Sequence, residues 1–90
     1  AVTVRFKFEN PVRMKRDLVI PAYRCETGGQ VIVSVTLNQG GEVIAARVLE
    51  GGDEIMREEA LAAARASLFN IDSSAPARHT GTITYTFVPQ

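Results

Sequence analysis

His79 is the sole histidine and Cys25 the sole cysteine in 90 residues, and that sets a limit on the chemistry available. A zinc centre needs three or four converging nitrogen, sulfur or oxygen ligands. His79 lies in a polar stretch with no second His or Cys to join it, so the sequence predicts no metal site. Cys25 can form no intrachain disulfide and reads as a small buried apolar side chain. Ser73 and Ser74 lack the strand–elbow–helix setting of a hydrolase nucleophile. Glu54 and Glu58 are four apart and share one helical face, but it is the charged face, which reads as solvated surface. Arg13, Lys15 and Arg16 form a short basic cluster without interleaved aromatics, and read as a solvated loop rather than a nucleic-acid surface. With no nucleophile–base pair and no convergent polar cluster on an apolar face, the residues predict no catalysis, no metal and no organic cofactor.

The elements that carry these residues are easier to read. Val2, Val4, Phe6 and Phe8 alternate with Thr3, Arg5, Lys7 and Glu9, the pattern of an amphipathic strand ended by Asn10 and Pro11. Val12 to Asp17 reads as irregular, and Pro21 biases Ile20 toward extended geometry. Val31, Val33, Val35 and Leu37 then point one way, with Ile32, Ser34 and Thr36 on the other face. A Gly-containing loop at Asn38 to Gly41 returns the chain into Val43 to Leu49, so a hairpin is predicted. The return strand is apolar on both faces, as a central strand covered on both sides would be.

Asp53 is a good N-cap, and Glu54 places negative charge in the first turn of a helix predicted to run to about Leu68. Its core stripe is Met56, Ala60, Ala63, Ala64, Ser67 and Leu68, with Leu61 on the flank. These side chains are mostly small, which predicts a helix seated close on a sheet. Phe69 or Ile71 should plug the helix end, and Asp72 to Thr80 reads as loop. Ile83, Tyr85 and Phe87 alternate with Thr82, Thr84 and Thr86 in a last strand, Gly81 to Val88. The pairs Gly28-Gly29, Gly40-Gly41 and Gly51-Gly52 punctuate turns and have no phosphate-binding spacing.

Ninety residues, 46% of them hydrophobic, make one small globular domain without room for a deep cleft between lobes. Ten basic and ten acidic residues cancel, which gives no electrostatic case for nucleic acid or an anionic membrane. No stretch approaches the roughly 18 apolar residues of a membrane helix, and no signal peptide is visible. The chain begins at Ala1, which reads as a processed or trimmed piece of something longer. The fold class predicted is α+β: a small antiparallel sheet with a β-β-α-β core, an extra N-terminal strand and one long helix.

Several landmarks occur in order. They are Pro21-Ala22-Tyr23-Arg24-Cys25, Gly29-x-Val31-x-Val33-x-Val35, Gly41-x-Val43, Ala60 and Ala64 in the helix, Phe69-Asn70, Ala75-Pro76, and Gly81-Thr82-Ile83-Thr84-Tyr85-Thr86-Phe87. This series resembles the C-terminal domain of TonB-family energy transducers over Tyr23 to Gln90, with residues 1–22 as a preceding strand and extended lead-in. The resemblance implies a periplasmic domain, tethered to the inner membrane through a segment absent here, with inner-membrane motor proteins reached only through that missing region. It also implies that an outer-membrane transporter segment adds as a strand along Gly81, Thr82, Ile83, Thr84, Tyr85, Thr86, Phe87 and Val88, with no catalytic side chain. A homodimer is a further possible partner, and nucleic acid is not expected. In similar chains a second Cys often stands where this one has Ile55, so Cys25 is expected to lie buried close to Ile55.

The strand Val2 to Phe8 lies outside the shared pattern. Two readings follow. In the first, the chain is the binding module of an energy transducer. In the second, it is a structural or assembly domain of the envelope, dimerising or linking layers, that keeps the fold without energy coupling. An exposed edge on the final strand favours the first reading; a covered edge favours the second.

Overall fold

The period-two segments all become strands of one sheet. The computed structural model describes residues 1–89. In chain order the elements are β1 Val2–Lys7, β2 Lys15–Asp17, β3 Gly29–Leu37, β4 Val43–Gly51, α1 Glu54–Ala66, β5 Leu68–Phe69 and β6 His79–Phe87. The main sheet is antiparallel with spatial order β1-β6-β3-β4, and β2 pairs with β5 in a small second ribbon. The fold is α+β, as the sequence predicts, and the N-terminal strand belongs to the main sheet.

Register sorts the side chains into two faces. Val2, Val4 and Phe6 lie opposite Phe87, Tyr85 and Ile83, which lie opposite Gly29, Val31 and Val33. These residues, with Val35 and Leu37, form the inner face, and Val31, Val33, Val35, Leu37, Ile83 and Tyr85 are fully buried. The outer face carries Thr3, Arg5 and Lys7, then Thr86, Thr84 and Thr82, then Gln30, Ile32 and Ser34.

Two different layers cover the inner face. Helix α1 lies over β3 and β4 through Met56, Ala60, Ala63 and Ala64. Asp53 caps it, accepting from the Met56 N–H at 2.8 Å, and the helix ends at Ser67, whose N–H returns to Ala64 O at 3.2 Å. Ser67 Oγ donates to Ala63 O at 2.8 Å and accepts from Val19 N–H at 3.1 Å, so it ties the helix end to the lead-in segment. Over β1 and β6 the cover is aromatic. Phe69 is fully buried and meets Phe6 and Phe8 edge-on at 5.1 and 5.0 Å, while Tyr23 meets Phe87 edge-on at 5.7 Å.

Gly41 is where the helix end meets the hairpin turn. At φ 80 it holds a left-handed conformation, and a Cβ there would collide with the Phe69 carbonyl. The Phe69 N–H instead donates to Gly41 O at 2.8 Å.

Several expectations are corrected. The helix stops at Ala66, two residues early, because Leu68 and Phe69 extend into β5. Arg13 is not in a solvated loop but 1% exposed, and His79 is 4% exposed at the start of β6. β4 is not a doubly covered central strand but a sheet edge. Its apolar second face comes from two bulges that leave Ile44 and Leu49 unpaired, each 45% exposed. Phe69 plugs the helix end, whereas Ile71 is exposed. Cys25 is buried within the core, as expected, while Ile55 is more than half exposed.

Candidate functional site

The residues named for partner binding, Gly81 to Val88, form most of β6, and β6 lies in the interior of the sheet. Thr82, Thr84 and Thr86 face Lys7, Arg5 and Thr3 on one side and Ser34, Ile32 and Gln30 on the other. Their hydroxyls lie on the outer face, where Thr86 Oγ1 accepts from Gln30 Nε2 at 3.1 Å. Ile83, Tyr85 and Phe87 are core residues. A Cβ at Gly81 would strike the Lys7 carbonyl and the Phe8 ring, so this glycine lets β1 end close against β6. Both backbone edges of the strand are therefore occupied within the chain.

The open edges are β1 and β4. Ala1 and Val88 exchange two backbone bonds, Val88 N–H to Ala1 O at 2.8 Å and the Ala1 amino group to Val88 O at 3.3 Å. Antiparallel pairing alternates, so Thr3, Arg5 and Lys7 bond to β6, and Val2, Val4 and Phe6 turn their N–H and C=O groups outward. β1 keeps unbroken register over all six residues. β4 does not: its bulges at Ile44 and Leu49 interrupt the ladder, and Arg57 Nε donates to Gly51 O at 2.7 Å at its far end. Bulges of this kind blunt an edge against further pairing.

The outer face offers a shallow open depression of about 310 Å³ lined by Arg5, Phe6, Lys7, Thr82 and Thr84. It lacks the enclosing apolar walls of a small-molecule site. Lys7 is engaged by Glu9 at 3.0 Å. Among the described residues there is no group of three or more His, Cys, Asp or Glu side chains placed to hold a metal, and no helix is long and apolar enough to cross a membrane.

One polar cluster was not foreseen from sequence. Arg13 Nη2 donates to Asn70 O at 2.6 Å and Asn38 O at 3.1 Å, and Nε donates to Asn70 Oδ1 at 3.3 Å. Nη1 lies 3.2 Å from His79 Nδ1. Guanidinium only donates, so Nδ1 accepts and Nε2 carries the hydrogen, which it gives to Glu9 O at 2.8 Å. The cluster clamps the end of β1, the hairpin turn and the segment after β5. All three guanidinium nitrogens and both ring nitrogens are engaged within the fold, so the cluster reads as a structural lock. Basic residue type gave no signal of it, because most acceptors are backbone carbonyls. Among the described residues Tyr85 Oη is buried without a partner at hydrogen-bonding geometry; burial raises its phenol well above the usual range, and the neighbouring Ser67 hydroxyl offsets this only in part.

No family model, curated protein or solved structure matches the chain.

Proposed function

We propose that this chain is a non-catalytic protein-interaction domain of the bacterial envelope, an assembly module with a TonB-like architecture that meets partners through its sheet edges. The observation that carries the proposal is the covered final strand: Val2–Lys7 pairs along the side of β6 that a transporter segment would need. The transducer reading survives only if β1 leaves. That removal is costly, because Phe8, 3% exposed, goes with it. Exposing one Phe costs about 1.5–3 kcal/mol, or about a tenfold to hundredfold loss of peptide affinity before the lost backbone bonds are counted. What favours the transducer reading as the second choice is the ordered series of motifs from Tyr23 to Phe87.

Amide hydrogen exchange on the intact chain tests this. Thr82, Thr84 and Thr86 donate toward β1, and should exchange as slowly as the amides of β3. A synthetic transporter-type extended peptide should leave their signals unmoved. Rapid exchange at these three threonines, with saturable peptide binding there, would reject the assembly reading in favour of the transducer.

A further inference from the structure

We infer that the outer edge of β1 pairs with the same edge of a second copy, antiparallel about a two-fold axis at Val4, joining two four-stranded sheets into one of eight. The inference rests on the reading of the sheet edges as interaction surfaces. Three observations carry it. First, β1 is the regular edge: six residues in unbroken register, with no bulge and no Pro, against the twice-bulged β4. Regular edges with unpaired N–H and C=O groups are templates for another strand.

Second, the backbone groups of β1 are self-complementary. The outward groups belong to Val2, Val4 and Phe6. A two-fold at Val4 sets Val2 against Phe6 of the second copy, and Val4 against Val4, so each outward residue meets an outward residue. Their half-buried side chains all lie on the inner face and continue the apolar layer across the axis.

Third, charge selects this register and this partner. On the outer face Thr3 meets Arg5 of the second copy and Lys7 meets Ala1, so no two charged side chains stand directly opposite. Moving the axis to Arg5 would set Arg5 against Arg5. Moving it to Thr3 shortens the paired stretch to five residues. An isologous contact of this kind closes on itself and leaves no further regular edge, so assembly stops at two.

A single strand pair is a small interface, so association is weak and concentration-dependent. Sedimentation equilibrium of the intact chain should show the mass rising from 9.8 kDa toward twice that value as concentration approaches about 1 mM. Val4→Pro removes an N–H that makes no bond to β6 and puts a ring on the axis, a substitution that edge strands tolerate. It should abolish association while Thr82, Thr84 and Thr86 stay protected from exchange. Thr3→Glu places two Glu–Arg5 pairs across the axis and should tighten the dimer about two- to thirtyfold; Thr3→Arg should weaken it by a similar factor. These two exposed-site variants keep the test decisive should Val4→Pro fail to fold. A chain that stays monomeric at about 1 mM, or a dimer indifferent to both Thr3 variants, overturns the inference. Protected β6 threonines in a strictly monomeric chain would remove this inference and leave the assembly reading standing.

Discussion

The two halves of the sheet are covered by opposite strategies. Over β3 and β4 the covering residues of α1 are Met56 and three alanines, and the helix sits close because little stands between it and the strands. Over β1 and β6 the space is filled by rings, with Phe69 at the centre of edge-on contacts to Phe6 and Phe8. Small residues set a distance, and large ones fill a volume. The first half should therefore suffer from added atoms and the second from removed ones.

The largest effect expected is Phe69→Ala, at about 3–5 kcal/mol, because the Phe6 and Phe8 rings lose their common contact. Urea denaturation measures it, and a loss comparable to that of an exposed site would abolish the contrast. Ala64→Leu should cost about 1–3 kcal/mol by pushing the helix off β3 and β4, although it adds apolar surface. A stabilised Ala64→Leu variant would mean that the helix half has slack. Tyr85→Phe should be neutral or stabilising by about 1 kcal/mol, since it removes a buried hydroxyl without a partner. A clear loss of stability there would reveal a bond to that hydroxyl.

The smallest effect lies in the loop beyond the aromatic half. The Ser74 hydroxyl and N–H hold the half-buried Asp72 carboxyl below the usual carboxylate range. A depressed folded value means stability that is present above the unfolded value and lost as pH falls through the folded one. Ser74→Ala should therefore cost a little stability at neutral pH, flatten the acid limb of a denaturation-versus-pH curve slightly, and leave the most acidic values nearly unchanged.

Long periodic segments were legible in sequence: the hairpin, the helix with its Asp53 cap and alanine stripe, and the last strand. Their faces follow from period alone. β2 and β5 were not legible, because three and two residues carry no period. β4 misled because bulges turn Ile44 and Leu49 outward, and an apolar residue at a bulge looks the same in sequence as one in a core. Residue type alone places Arg13 in solvent, because charge normally goes there. Its burial depends on carbonyls of Asn38 and Asn70, which every residue type possesses. Of the candidate site, the alternating residues of Val2 to Phe8 and Gly81 to Val88 were visible. Which side of β6 the first strand would take was not, since pairing between the two ends of a chain leaves no local mark.

That end-to-end pairing also orders events in time. Val2 has no partner until Phe87 exists, so on the ribosome the first strand made is the last to be seated. Contacts of such long separation slow folding, and the hairpin and helix can form well before them. For that interval the nascent chain carries a vacant β6 position and an unattached β1, and a neighbouring nascent chain offers the same pair. Crowded synthesis therefore invites exchange of β1 between neighbouring chains, whereas dilute refolding favours closure of each chain on itself.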